Sequence, residues 1–240
     1  MSNGLDALYP FLYPGRGDLD AVVAEVRRSI QAKAREIADL RDRLADELGE
    51  RLVACARTMA RAFLRGGTLY TFGNGGSATD AQSVAQLFLH PPAGLSVPAM
   101  ALSNDVAAVT ALANDVGFDV VFARQLAAFG HRHDIALGLS TSGNSSNVLR
   151  ALDEARGRGL LTIGFGGYDG GKLAELESLD YLFVVPSSSV HRIQEAQTTL
   201  YHVLWELTQE ALREVARHGD GDEEARDAHP CPVDQRRPEL

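Results

Sequence analysis

Short apolar segments alternate with helix-like segments after Gly67, and this alternation limits the possible folds more than any other feature. The predicted strands are residues 68–72, 97–102, 135–140, 160–165 and 181–185. The predicted helices are residues 80–90, 106–113, 119–129, 146–158, 173–177 and about 190–215. Strands that alternate with helices form a parallel sheet covered by helices on both faces. We therefore predict an α/β fold with a three-layer, doubly wound, five-stranded parallel sheet.

A long amphipathic helix is predicted ahead of the first strand. Residues 18–48 contain neither Pro nor Gly, and their apolar residues recur at spacings of three, four and seven. The apolar stripe continues past Gly49 to Phe63, and Gly66 and Gly67 then end the helix. A helix of this length has more apolar surface than one small sheet covers, which favours a homo-oligomer.

Two of the predicted strands are followed by turns rich in Gly, Ser, Thr and Asn. The first turn is residues 73–77, and the second is residues 140–146. The first amides of a helix lack intrahelical partners and carry partial positive charge, so such turns bind anions without Lys or Arg. A single turn of this kind is more often an ordinary loop between a strand and a helix. The two together favour one ligand that carries a phosphate and several hydroxyls.

Composition limits the compartment and the partners of the chain. The formal net charge of −9 opposes direct binding of nucleic acid. No segment has the roughly 18 apolar residues of a membrane span, and the N-terminus lacks the pattern of an export signal. The two cysteines, Cys55 and Cys231, indicate no disulfide framework. We predict a cytoplasmic protein with no membrane or nucleic-acid partner, and a protein partner is left open.

The predicted organisation has three parts. Residues 1–17 form an N-terminal extension, and residues 18–217 form one domain together with its N-terminal helices. Residues 218–240 are rich in charge and proline and poor in apolar side chains, which is typical of a flexible tail.

Five short motifs occur in order along the chain, at residues 73–77, 113–118, 140–145, 168–172 and 192–195. Together they resemble the sugar isomerase (SIS) domain family, and within it the sedoheptulose 7-phosphate isomerases, also called phosphoheptose isomerases. The resemblance covers about residues 20 to 215. It implies a flavodoxin-like SIS fold, a homotetramer with active sites between subunits, and an open-chain heptose phosphate as the ligand.

The resemblance also implies which residues bind the sugar phosphate. In the family pattern, the serines of the second turn and their amides hold the phosphate, while the first turn contacts the sugar. The predicted substrate-binding residues are Asn74, Gly75, Ser77, Asp115, Ser140, Thr141, Ser142, Ser145 and Gln194. Helix N-capping is an alternative role for Ser145 and Ser146, and it is compatible with binding.

The chain departs from the family at two positions of the helix after the first turn. The family has a His and a Glu four residues apart, where this chain has Ser83 and Leu87. Leucine can neither accept a proton nor bind a metal. The family's later Gln and His positions are kept as Gln194 and His202. These two residues are too few for four-coordinate zinc, so we expect no metal and keep them only as weak candidate ligands.

Two histidines are candidate acid/base groups, because neutral imidazole can act as a base near pH 7. His202 occupies the family's His position, and a hydrogen-bonded core or interface histidine is the alternative. His191 replaces an Asp of the family just ahead of Arg192, and a surface or capping role is the alternative.

Two functions follow from these residues. The first is an aldose–ketose isomerase that acts on a heptose phosphate, or a similar sugar phosphate, through an enediol. The second is a non-catalytic sugar-phosphate-binding or regulatory SIS protein that has lost its base and zinc site. Loss of a general base commonly lowers a rate by a factor of about 10² to 10⁴. The retained serine turn favours a bound ligand in both cases, and the sequence leaves turnover open.

Overall fold

The computed structural model describes residues 19–223. The predicted N-terminal extension and residues 224–240 of the predicted tail lie outside this range. The chain divides into two compact units, with the division after Glu47. Within residues 19–223, no helix is long and apolar enough to cross a membrane.

Helix α1 (Leu19–Leu64) confirms the predicted long helix and passes through Gly49 without interruption. It ends where expected, because Gly66 adopts a φ of +81° and the Gly67 amide donates to the Ala62 carbonyl. In the first unit, several apolar side chains of α1 are exposed: Val22, Val23, Val26 and Ile30. In the second unit the apolar stripe is buried, as at Leu52, Ala56 and Met59.

The five strands form one parallel sheet, as predicted. They are β1 (Leu69–Gly73), β2 (Ala99–Ala101), β3 (Ile135–Ser140), β4 (Leu161–Gly167) and β5 (Tyr181–Val185). All residues of β1 and β3 are buried, which is typical of a parallel sheet with both faces covered. The order is β2-β1-β3-β4-β5, so the chain leaves β1 toward one edge and β3 toward the other.

This reversal brings two carboxyl ends together. Strand β1 pairs with β3 so that Gly73 lies opposite Leu139, and the turns that follow both strands are therefore neighbours. In doubly wound sheets, ligands bind at such a point, where the strand order reverses.

Helices separate the strands as predicted, with some differences in their bounds. They are α2 (Gly76–Leu89), α3 (Val106–Asp115), α4 (Val121–Phe129), α5 (Ser146–Gly157), α6 (Gly171–Ala174) and α7 (Val190–Glu223). Helix α2 begins inside the first turn rather than at Asp80, since Gly76 already has a helical backbone. Helix α7 continues to Glu223 instead of ending near Val215, because no proline occurs before Pro230.

Candidate functional site

The second turn connects β3 to α5 and is referred to here as the serine turn, residues 140–146. The Ser140 hydroxyl donates to the Ser145 hydroxyl at 3.0 Å. Ser140 is buried, Thr141 and Ser145 are half-buried, and Ser142 is exposed. The hydroxyls of the turn therefore become more exposed from its buried start at Ser140 to its solvent-exposed tip at Ser142.

The start of α5 leaves backbone amides available to a ligand. Ser145 occupies the N-cap position, but its side chain makes no capping hydrogen bond. Ser146 donates its hydroxyl to Asp119 at 2.6 Å. Side-chain capping is therefore not the role of either serine here. The amides of Ser146 and Asn147 have no hydrogen-bond partner in the part of the chain that the structure describes, and they carry the partial positive charge of the helix end.

Gly143 fixes the shape of the serine turn. Its φ is +67°, and a Cβ at this position would lie 1.8 Å from the carbonyl oxygen of Gly170. The loop that carries Gly170 also holds the turn by hydrogen bonds, since Leu173 donates its amide to the Gly143 carbonyl at 2.9 Å. Lys172 donates its amide to the side-chain oxygen of Asn144 at 3.1 Å. Two distant sequence motifs thus form one rigid feature.

The side-chain amides of two asparagines join the first turn to the start of α5, directly after the serine turn. Asn74 donates to Asn147 at 2.8 Å, and Asn147 donates back to Asn74 at 2.9 Å. Each amide keeps one further N–H, so Asn74 can hold the two turns together and still donate to a ligand.

Gln194 of α7 lies directly against the first turn. A Cβ on Gly76 would be 2.2 Å from the Nε2 atom of Gln194, so the Gln194 amide occupies the space that a side chain at residue 76 would take. Gly75 is exposed, with a φ of +55°, and Ser77 is buried at the start of α2. The structure therefore brings Gln194 to Gly76 of the first turn, the turn that was predicted to contact the sugar.

Asp80 is the residue in this region that the sequence analysis missed. Its Oδ2 atom is buried and makes no hydrogen bond to the described residues. Burial raises the pKa of Asp80, although hydrogen bonding from Gln194 and Tyr201 acts in the opposite direction. The helical spacing of three residues from Ser77 to Asp80 and again to Ser83 was the available signal, because such residues share one face.

Tyr201 links Asp80 to α7. Burial raises the pKa of the Tyr201 hydroxyl, the negative charge of Asp80 raises it further, and hydrogen bonding to Thr198 and Ser83 lowers it. Asp80, Ser83, Gln194 and Tyr201 therefore form one polar cluster between α2 and α7, here called the α2–α7 cluster.

The two candidate histidines are exposed in the single chain. The Nδ1 atom of His202 lies 2.8 Å from the Thr198 carbonyl, and the ring stacks on Tyr201 with centroids 5.0 Å apart. A carbonyl can only accept, so Nδ1 carries the proton and Nε2 is the nitrogen left for chemistry. His191 is the second residue of α7.

Asp115, predicted to bind a hydroxyl, is the last residue of α3 and is exposed. Its hydrogen bond is with its neighbour Asn114, at 2.7 Å. The acidic residue that contacts the serine turn is instead Asp119, through Ser146.

Comparison with known proteins agrees with this geometry. Residues 34–167 match the family model of the SIS domain. The phosphoheptose isomerase of Solidesulfovibrio magneticus is 43% identical over 194 residues, which cover 78% of this chain and 92% of that protein. The phosphoheptose isomerase of Aquifex aeolicus is 41% identical over 182 residues, covering 75% and 94%. This chain belongs to the phosphoheptose isomerase family of SIS domains.

Solved structures of the family share the fold. Phosphoheptose isomerase GmhA from Neisseria gonorrhoeae superposes with a TM-score of 0.72 at 35% identity, covering 77% of this chain and 99% of that one. A phosphoheptose isomerase from Francisella tularensis gives a TM-score of 0.68 at 33% identity, covering 80% and 98%. The predicted resemblance and fold class are therefore confirmed.

The zinc ligands that the family pattern implies do not fit this chain. Ser83 donates its hydroxyl to the Thr79 carbonyl at 3.1 Å, and Leu87 has no donor atom. Among the side chains that the structure describes, residues 20–215, no group of three or more His, Cys, Asp or Glu is placed to hold a metal ion. Gln194 and His202 alone do not provide the four ligands of a closed zinc site.

Proposed function

We propose that this chain binds a phosphorylated open-chain sugar of the heptose phosphate type at the carboxyl ends of β1 and β3. The observation that supports this most strongly is the serine turn, where Gly143 is locked against Gly170 and the amides of Ser146 and Asn147 are left without partners. A dianionic phosphate suits such a site, because helix-end amides and hydroxyls bind it without a cation.

The rest of the ligand lies next to the phosphate in this proposal. Gln194 and the first turn occupy the neighbouring strand end, and Asn74 connects them to the serine turn. Amides and hydroxyls suit a polyhydroxylated chain because each can donate and accept hydrogen bonds. The relatives named phosphoheptose isomerase favour a seven-carbon sugar phosphate.

Binding is tested by calorimetric titration with sedoheptulose 7-phosphate. Ser142→Ala is expected to weaken binding about tenfold, because one hydrogen bond to a charged group is lost. Ser146→Ala is the matched control, since its hydroxyl is already engaged by Asp119, and its affinity is expected to stay unchanged. Equal affinities for both variants and the unchanged protein would contradict the phosphate site. Added zinc is expected to leave the affinity unchanged.

A second function, aldose–ketose isomerisation, is favoured by the α2–α7 cluster. We propose that Asp80 carries the proton in place of the family's Glu. The carboxylate removes the proton from C1 of the ketose, an enediol forms, and the same proton returns to C2, while a second proton passes from O1 to O2. Gln194 and Tyr201 hydrogen-bond Asp80 and hold its carboxylate in this proposal, and His202 Nε2 is the candidate for the second transfer.

Turnover is tested by NMR in D₂O, where an enediol exchanges carbon-bound hydrogen for deuterium even when net conversion is small. Asp80→Asn is expected to slow exchange by about 10² or more while the affinity for sedoheptulose 7-phosphate is kept. Asp153→Asn, an exposed carboxylate on α5, is the control. If the unchanged protein binds sedoheptulose 7-phosphate tightly but exchanges no carbon-bound hydrogen, the isomerase function is contradicted and the binding function stands.

We further propose that the protein is a cytoplasmic homotetramer. The exposed apolar side chains of the first half of α1, Val22, Val26 and Ile30 among them, support association of several copies. Light scattering on the intact protein is expected to give about four times the chain mass of 25.8 kDa. A mass equal to one chain would contradict the tetramer.

A further inference from the structure

A cavity of about 570 Å³ lies at the amino-terminal edge of the sheet, opposite the edge that carries the serine turn. Its wall is formed by the last turns of α1, the loop before β3, the end of α5 and the first residues of β4 and β5. This volume is within the range of cavities that bind small molecules. The cavity belongs entirely to the second compact unit.

The polar part of this cavity is strongly basic. Arg61, Arg65 and Arg156 line it together with one acidic residue, Asp180, which pairs with Arg156. The Arg61 guanidinium donates to the Thr58 hydroxyl at 3.0 Å, whereas the Arg65 guanidinium has no hydrogen bond or ion pair with the described side chains, residues 20–215. An excess of arginine in one cavity contrasts with the net charge of −9 for the whole chain.

Hydrogen bonds hold the cavity wall in place without a ligand. The hydroxyl of Tyr181 lies 2.9 Å from that of Thr58 and donates to the Ala54 carbonyl at 3.2 Å. Asp180 accepts from the amide of Thr162 at 2.9 Å. Because these contacts join α1 to the starts of β4 and β5, the arginines project from a rigid frame. Such a frame lowers the entropic cost of binding.

We infer that this cavity binds a small molecule with more than one phosphate group, of the nucleoside diphosphate class, through Arg61, Arg65 and Arg156. A guanidinium group forms paired hydrogen bonds to phosphate oxygens, and several of them suit a ligand with several phosphates. The apolar wall, from Leu161 and the ring of Tyr181, provides a surface for a base or ribose. This inference is independent of the sugar-phosphate site, because the two sites share no residue.

The test is calorimetric titration of the full-length protein with ADP, inorganic pyrophosphate and inorganic phosphate in separate arms. Saturable ADP binding with a Kd below about 1 mM is expected, and Arg65→Gln is expected to weaken it about tenfold or more. Arg57→Gln is the matched control, since Arg57 is exposed on the same helix and does not line the cavity. If pyrophosphate binds as tightly as ADP, the site is supported and the phosphates alone are recognised. If ADP binds more tightly than pyrophosphate, the apolar wall also contributes to binding.

Three results would overturn the inference. The first is the absence of saturable binding of ADP and pyrophosphate up to about 1 mM. The second is an equal loss of affinity in Arg57→Gln and Arg65→Gln. The third is ADP binding that Ser142→Ala abolishes and Arg65→Gln leaves intact, which would place the anion at the serine turn. Sedoheptulose 7-phosphate affinity is expected to be unchanged in Arg65→Gln, so failure at one site is distinguished from failure at the other.

Discussion

The two turns at the centre of the sheet differ in what determines them. The serine turn is fixed by main-chain geometry, with Gly143 held against Gly170 and the free amides supplied by the start of α5. The first turn leads into α2, which has Ser83 and Leu87 at the two positions where the resemblance implies a His and a Glu.

This contrast separates binding from proton transfer. A site built from amides and glycines changes only if the backbone changes, so it persists as long as the fold does. A general base is a single side chain and can be replaced without altering the fold. The chain can therefore keep a phosphate site of the family while the proton carrier is lost or moved, as proposed for Asp80.

The largest expected effect comes from restoring the family's side chains on α2. Ser83→His combined with Leu87→Glu is expected to raise isomerisation of sedoheptulose 7-phosphate by a factor of about 10² to 10⁴, because a base and a second polar group then face the sugar. Both positions are half-buried, so larger polar side chains are expected to fit there without repacking the core. The rate is measured by NMR. The control is Ser83→Asn with Leu87→Gln, which adds similar volume without a base, and equal rates for the two variants would contradict the prediction.

The next largest effect concerns the serine turn itself. Gly143→Ala is expected to lower the free energy of unfolding by about 3 kcal/mol and to abolish sugar-phosphate binding, because the new methyl group meets the Gly170 backbone. Gly75→Ala is the matched control: its backbone, at φ +55° and ψ −123°, also disfavours a side chain, but the space around it is open, so a smaller loss of about 1 to 2 kcal/mol is expected. Urea denaturation measures both values, and similar losses would show that the Gly143 contact is unimportant.

The positions of the strands could be predicted from the sequence more accurately than the contacts between helices and strands could. The bounds of β3 and β5 are as predicted, because Asp134 and Pro186 mark clear ends of their apolar runs. Strand β2 is only Ala99–Ala101, shorter than the predicted residues 97–102, since as an edge strand it pairs with β1 alone.

The candidate site was predictable only where it is local in sequence. The serine turn and the first turn could be recognised from their Gly and Ser residues. The Asn74–Asn147 pair and the burial of Asp80 against α7 could not, because each depends on residues far apart in the chain that only the folded sheet brings together.

A smaller effect is expected from the link between the two turns. Asn74→Ala and Asn147→Ala are each expected to lower the free energy of unfolding by about 1 to 2 kcal/mol, because each leaves the other amide without its partner. The double variant is expected to lose about 1 kcal/mol less than the sum of the single losses. Urea denaturation of the four proteins measures this coupling. Strict additivity would mean that the amide pair does not hold the turns together.

The smallest expected effect is the pH dependence that Asp80 contributes to stability. Burial raises its pKa, so the native state binds this proton more tightly than the unfolded state does. The contribution of Asp80 to stability therefore declines as the pH rises from about 3.9, the ordinary value for aspartate, through the raised value. Asp80→Asn removes the buried charge and is expected to be more stable than the unchanged protein at pH 7. The gain is expected to be below about 1 kcal/mol, because the side chain is only partly buried and solvent screens it. Thermal unfolding at pH 7 and at pH 4 measures the difference, which is expected to shrink at the lower pH. A gain that is larger at pH 4 than at pH 7 would mean that the Asp80 carboxylate is stabilised by its surroundings, and its role as a proton carrier would lose its support.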